Sequence, residues 1–291
     1  MSATLTEAKV NGAFESVNGA CAALCLPRST WYRLANDALL PDPDIELRDQ
    51  IQKIATTRSV YGYRRMTAEL GRSGVVANHK RVLRIMREDN LLCLRRRHFI
   101  TTTDSQHGLP IYPNLGRGMS VDRIDQLWVS DITYIRLRGE FIYLAVILDA
   151  HSRRVIGWEL SRKIDTALTV GALNMALSTR QIKPGLVHHS DRGVQYAATE
   201  YTDLLKGAGV TISMSRRGNP YDNAQAESFM KTLKYEEVYL SDYANLSEAR
   251  SQIGHFLNMV YNRERLHSRL GYVPPEEFES QLHAFNQPTI R

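Results

Sequence analysis

Leu127-Trp128-Val129-Ser130-Asp131-Ile132-Thr133-Tyr134-Ile135 is a run of aromatic, β-branched and aliphatic residues with one carboxylate at its centre. Such composition favours a half-buried extended strand. An aspartate inside it is costly to bury unless an opposite charge compensates. Two further apolar runs follow at short spacing, Phe141 to Leu148 and Arg154 to Trp158, so the three form an antiparallel meander. Beyond them helical and extended patterns alternate. A helix is expected over Thr166 to Ser178, a short strand over Gly185 to Ser190, a helix over Ala197 to Lys206 and a strand over Val210 to Met214. A meander followed by alternating strands and helices specifies an α/β sheet of mixed direction with flanking helices.

The short strand ending at Ser190 delivers Asp191. The next polar stretch, Arg216-Arg217-Gly218-Asn219-Pro220-Tyr221-Asp222-Asn223, is a loop in which Asp222 or Asn223 can cap a helix running to about Glu236. At ~100° per residue, Asn223, Glu227, Lys231 and Lys234 share one polar stripe of this helix. Ala226, Phe229, Met230 and Leu233 share the arc that packs on a core. Taken alone, Glu227 and Lys231 are an ordinary i,i+4 surface pair. Set beside Asp131 and Asp191, Glu227 becomes the third acid of a site that repels itself unless divalent cations fill it. Hard oxygen ligands suit Mg²⁺ or Mn²⁺, and two such ions serve phosphodiester chemistry by activating an attacking hydroxyl and stabilising a leaving oxygen. Asp149, Asp165 and Asp222 are the competing acids; the first ends a strand and the other two read as caps. His188 and His189 point to opposite faces of a strand with no cysteine near them, which disfavours zinc.

Upstream, the chain is helical and basic. Residues 46–100 hold thirteen Arg or Lys against five Asp or Glu, so they carry more than the whole net charge of +6. A localised excess of this kind points to a polyanion, most simply nucleic acid. Residues 14–40 suggest two short helices around Leu26-Pro27, and Cys21 and Cys25 read as sharing the first. Pro41-Asp42-Pro43 marks a boundary. Leu47, Ile51 and Ile54 begin a second helical set, which ends in an amphipathic helix from His79 to about Asp89 capped by Asn78. There Val82, Ile85 and Met86 face a core and Lys80, Arg84 and Arg87 line the opposite side, the outline of a helix-turn-helix recognition helix. Three cysteines (Cys21, Cys25, Cys93) make no disulfide framework, and the longest apolar run is too short to span a bilayer, so a cytoplasmic protein is expected. The expected organisation is a helix-turn-helix-like segment at 1–44, a basic helix-turn-helix domain at 45–103, a linker at 104–122, a catalytic core at 123–240 and a helical tail at 241–291.

Three blocks of this sequence resemble the catalytic blocks of integrase-type transposases, most closely the second-frame protein of bacterial insertion-sequence family three. They are Trp128 to Ile135, His189-Ser190-Asp191-Arg192-Gly193-Val194-Gln195-Tyr196, and Ser215 to Ser228. The 35 residues between Asp191 and Glu227, the basic Lys234 seven positions after that glutamate, and the closing His267-Ser268-Arg269-Leu270-Gly271-Tyr272 match the group as well. The resemblance implies a ribonuclease-H-like fold and a site of two Mg²⁺ or Mn²⁺ ions at Asp131, Asp191 and Glu227. It implies cleavage that frees a 3′ hydroxyl and direct attack of that hydroxyl on another phosphodiester. The DNA partners it implies are terminal inverted repeats and target DNA, with Lys231 and Lys234 beside the metals and His189 and Asn223 shaping the site. Arg64, Arg65, Lys80, Arg81, Arg84 and Arg87 are the candidate contacts of the upstream domain. A homo-oligomer on DNA, a first-frame partner or frameshift fusion, and association with the nucleoid are further expectations. The competing expectation is a catalytically silent DNA-binding regulator on the same fold.

Overall fold

In the computed structural model the chain forms two compact units, Met1–Cys93 and Leu94–Arg291. Residues 16–23, 25–37, 43–92, 109–216 and 220–285 are described. Leu24, Pro41-Asp42, Cys93, residues 104–108 of the expected linker and Arg217-Gly218-Asn219 lie outside them.

In the first unit, α1 (Val17–Ala23) and α2 (Arg28–Asp37) pack through Ala20, Cys21 and Trp31. Cys25 does not share a helix with Cys21. It sits past the end of α1 at φ 52°, while Leu26 N–H closes back on the Cys21 carbonyl at 2.9 Å. This is a left-handed helix stop, and Pro27 then prevents continuation. α3 (Ile45–Thr57), α4 (Tyr63–Arg72) and α5 (His79–Glu88) enclose a core of Leu47, Ile51, Met66, Leu70, Val82, Ile85 and Met86. The Asn78 side chain caps α5 by accepting from Lys80 N–H at 2.8 Å, as its position in the sequence predicts.

The second unit is built on a five-stranded sheet of order β3-β2-β1-β4-β5. β1 (Leu127–Arg136), β2 (Phe141–Asp149) and β3 (Val155–Ser161) form the antiparallel meander, and β4 (Val187–Ser190) and β5 (Thr211–Met214) add in parallel to β1. One face, carrying Trp128, Ile132, Ile147, Ile156 and Ile212, is covered by α6 (Thr166–Thr179) with α7 (Val194–Ala197) and α8 (Thr199–Gly207). α6 approaches β3 closely because Gly157 is bare: a Cβ there would lie 2.2 Å from the Ala172 carbonyl oxygen.

The other face, carrying Leu127, Val129, Ile135, Leu144, Val146 and Val187, is covered by α9 (Ala224–Glu236) and by the C-terminal segment. That segment contains α10 (Leu246–His255), then π-helical turns over Phe256–Glu264, and α11 (Pro275–Phe285). The helical spacing of Leu246, Ala249, Ile253 and Val260 predicts one amphipathic helix over Asn245 to Arg263. The wider turns instead bury Phe256, Leu257, Tyr261 and Asn262 together. Asn262 then pairs with both backbone groups of Val155, at 3.0 and 2.9 Å. Tyr243, Ala249, Ile253 and Phe256 thus lie in one core with the sheet. Residues 109–122 also lie along the sheet, with Leu109 and Tyr112 packed on one core and Met119 and Val121 on the other. Among the described residues no helix is long and apolar enough to cross a membrane.

α11 is tied down by a buried polar knot. Glu279 accepts from Arg180 Nη2 at 2.6 Å, from Arg154 Nη1 at 2.7 Å and from Ser152 Oγ at 2.6 Å. Burial pushes the Glu279 carboxyl up, but Arg180, Ser152 and Arg154 together hold it below its ordinary value. Because the folded carboxyl is depressed, its contribution to stability is present at neutral pH and is lost as pH falls below about 4.5. Arg180→Met removes the more buried of the two guanidinium partners of Glu279, leaving Arg154 and Ser152, and is expected to lower unfolding free energy by about 3 kcal/mol at pH 7. Urea denaturation measures this, and the gap to the unmodified protein should shrink below pH 4.

Candidate active site

Side chains alternate along β1, so Leu127, Val129 and Asp131 face the α9 side of the sheet. The β4 ladder pairs Leu127 with Val187 and Val129 with His189. Continuing that register by two residues sets Asp191 beside Asp131, on the same face. β4 ends at Ser190, so from Ser130 onward the edge of β1 that faced it has no strand partner. Asn223 fills the first gap: its side-chain amide donates to the Ser130 carbonyl at 2.9 Å. The sequence suggests Asn223 as a helix cap, but its side chain makes no capping bond and crosses to β1 instead. A short 3₁₀ turn over Pro220–Asn223 leads into α9. On α9, Ala226, Phe229, Met230 and Leu233 are buried as the periodicity predicts, and Glu227, Lys231 and Lys234 lie on the remaining surface.

The acids sense one another. Burial raises the Asp131 carboxyl, the negative charges of Asp191 and Glu227 raise it further, and it reaches about 8 despite the Ile132 N–H and the Lys234 ammonium, which oppose the rise. Lys234 is pulled down by burial and up by Asp131, and its Nζ stands 4.3 Å from the centre of the Tyr134 ring. Lys231 is exposed. Asp191 accepts from Gly193 N–H at 2.9 Å, a bond that turns the chain directly into α7. A Cβ on Gly193 would lie 2.9 Å from that same carboxylate oxygen and 3.1 Å from Gln195 Oε1. Among the described residues no group of three or more His, Cys, Asp and Glu side chains is already arranged to hold a metal ion. The three acids are therefore neighbours in field rather than a closed cage. The donor set itself, carboxylate oxygens that raise one another's affinity for positive charge, suits a hard divalent cation.

The remaining candidates fall into supporting positions. His189 is buried between two serines, with Nδ1 2.8 Å from Ser213 Oγ and Nε2 3.0 Å from Ser215 Oγ; burial lowers it and Asp222 raises it. Ser213 Oγ in turn accepts from Leu115 N–H at 2.8 Å, so His189 fixes the 113–116 segment and β5 under the acids. His188 points to the opposite face, 2.9 Å from Tyr201 Oη, and burial drops it to about 3. The competing acids have other partners. Asp222 pairs with Arg216 and falls to about 2, Asp149 accepts from Asp125 and Ser152 backbone N–H groups, and Asp165 caps α6 through Leu168 N–H.

In the first unit Asp44 binds both Arg81 and Arg84, and Arg84 also pairs with Glu88 at 2.8 Å. These two arginines are therefore committed within their own unit. Lys80 and Arg87 are exposed, while Arg64 and Arg65 lie against the rings of Tyr63 and Tyr61 at 5.3 and 5.7 Å.

One contact was not legible from any motif. Arg265, almost fully buried, grips Glu236 of α9 with Nε at 2.6 Å and Nη2 at 2.7 Å, and also lies against the Tyr261 ring. The C-terminal segment thereby holds the far end of the helix that carries Glu227. The only signal in the sequence is a charged run, Asn262-Arg263-Glu264-Arg265, too polar for the core that it enters.

Family models of integrase core domains match residues 122–220 and 208–275, and a model of an HTH-like domain matches residues 42–99. The chain is 35% identical over 272 residues to the transposase InsF of insertion sequence IS3A from Escherichia coli, spanning 91% of this chain and 94% of that protein. The protein is a transposase of insertion-sequence family three. This transposase is also 37% identical to an uncharacterized 31 kDa protein of insertion element IS600 from Shigella sonnei, over 90% of this chain and 98% of the relative. It is 34% identical to the transposase of IS904 from Lactococcus lactis, over 75% and 87%. A solved structure of the BIV integrase catalytic core domain is similar at 20% identity and a TM-score of 0.42, covering 56% of this chain and 99% of that one. By the integrase core models and the InsF relative, the transposase is a DDE-type polynucleotidyl transferase, with an HTH-like domain ahead of its integrase core domain.

Gly193→Ala tests how tightly Asp191 is placed. The added methyl displaces a flexible carboxylate rather than backbone, so the melting temperature should hold within about 2 °C while DNA cleavage falls by about 10- to 100-fold. Paired calorimetry and cleavage assays on the variant measure the two effects.

Proposed function

We propose that this transposase binds the terminal inverted repeats of its insertion sequence, cleaves to free a 3′ hydroxyl and joins that hydroxyl to target DNA. Asp131, Asp191 and Glu227 would hold two Mg²⁺ or Mn²⁺ ions. When bound, such ions supply an activated attacking oxygen and stabilise the leaving one. The observation that carries the proposal is the convergence of acids from β1, from the end of β4 and from α9 around Asp131, whose carboxyl is raised by burial first and then by Asp191 and Glu227. Asn223 and the Arg265–Glu236 pair keep α9 against β1, so Glu227 stays within range of the other two. Lys234 lies beside Asp131 and Lys231 is solvent-facing on the same stripe, positions suited to phosphates flanking the reacting one.

In the HTH-like unit the exposed Lys80 and Arg87 are the phosphate contacts, with Arg64 and Arg65 close to them in sequence order. Arg81 and Arg84 instead hold α5 to the start of α3 through Asp44. Two DNA ends must be handled in one reaction, which calls for a homo-oligomer on DNA, with or without a first-frame partner or fusion.

Asp131→Asn should reduce Mg²⁺-dependent cleavage and joining of DNA carrying the element's ends by more than about 10³-fold, while affinity for that DNA in a gel shift stays within a few-fold. Full cleavage by the variant sinks the catalytic assignment; binding without any metal-dependent cleavage by the unmodified protein supports the silent-regulator alternative. For the first unit, Lys80→Ala and Arg87→Ala should each lower the slope of log affinity against log salt by about 1. Arg84→Ala should lower the melting temperature instead, and salt titrations with thermal melts separate the two classes.

A further inference from the structure

Beside the acids lies a group of rings that the chemistry above does not use. Tyr134 and Phe141 meet edge-to-face with centroids 5.8 Å apart, and Tyr235 and Tyr239 do the same at 5.5 Å. The two pairs meet at Lys234, which stands over the Tyr134 ring at 4.3 Å and directly precedes Tyr235 in α9. Phe141 is 52% exposed and Tyr239 49%, far more than a core edge requires. Tyr134 is also the ring under the Lys234 ammonium, and Lys234 is the cation that opposes the raised Asp131. The two ring pairs thus flank Lys234, the cation nearest the candidate catalytic acids on α9.

Scattered surface aromatics need no explanation, but a contiguous set beside a cation and an acid site does. Rings offer flat π faces and few hydrogen-bonding groups, so they accept any base and read none. A base reaches such a face only when it is out of the duplex stack. The ammonium at one edge of the patch complements a backbone phosphate.

We propose that Tyr134, Phe141, Tyr235 and Tyr239 form a stacking platform for an unpaired base of the DNA strand whose phosphodiester enters at Asp131, Asp191 and Glu227. This rests on those acids being the phosphodiester site. The platform separates the strand end from its complement and holds it still, with Lys234 on the phosphate between platform and acids.

The test uses the full chain in Ca²⁺ buffer with two DNA probes of equal length: a blunt duplex, and a duplex with three unpaired nucleotides at one end and 2-aminopurine at the junction. The unmodified protein should quench the 2-aminopurine and prefer the forked probe. Tyr239→Ala and Phe141→Ala should abolish the quench and weaken forked binding by about 5- to 100-fold, the range that one base-on-ring stack carries, with blunt binding unchanged within about 2-fold. Tyr239→Trp should keep both signals. Should Tyr239→Ala fail to fold, Tyr239→Leu removes the ring while keeping apolar volume and decides the question. Equal weakening of both probes or persistent quenching in the ring variants overturns the platform. So does a drop in sedimenting mass, since the patch would then be a contact between copies of the chain. Asp131→Asn should quench like the unmodified protein. If that variant still cleaves in Mg²⁺ the acid site is wrong, a failure readable separately from the quench.

Discussion

Carboxylates that repel one another have to be held together by everything around them, and most of the second unit can be understood as the means of doing so. Asp131 enters from the middle of β1, Asp191 from the end of β4 and Glu227 from α9, each fixed by a different kind of bond. The β1–β4 ladder ends just before the first two, and its register continued by two residues brings them together. The third depends on packing: Phe229, Met230 and Leu233 press α9 onto the sheet, Asn223 caps an open carbonyl of β1, and Arg265 grips the opposite end. The burial that raises the Asp131 carboxyl is thus a product of the same contacts that bring its neighbours near. No single element owns the site, which is why its electrostatics appear only once the fold is complete.

Ordering of strands and helices was legible in the sequence because it depends on local pattern. The Asp131 run, the alternation after it and the apolar arc of α9 each contain enough residues for period and propensity to agree. The stripe of Asn223, Glu227, Lys231 and Lys234 followed from helix geometry alone. What pattern cannot supply is the identity of partners across the fold. Nothing near Asn223 announces that its amide crosses to Ser130, 93 residues away. Asp44 likewise gives no local sign that it will occupy two arginines of α5, Arg84 of the basic stripe and Arg81 beside it. The C-terminal helix changed character for a related reason. Regular turns would rotate Asn262 off β3, and the tertiary demand of Val155 for two hydrogen bonds prevails over local geometry.

His188 and His189 show how neighbouring residues divide between layers. One turns to the tyrosines under α8 and stays neutral through burial; the other is locked between serines on the side of the acids. Adjacent in the chain, they belong to different cores, so a change at either propagates into a different half of the unit.

Arg265 follows its partner Glu236 by 29 residues, and Glu236 sits on the helix bearing Glu227. During synthesis that helix leaves the ribosome well before the residue that will clamp it. The segment that supplies Arg265 also supplies Tyr243, Ala249, Ile253 and Phe256 to the core beneath β1, so a shortened chain would lose the clamp on α9 and one wall of the sheet's core together.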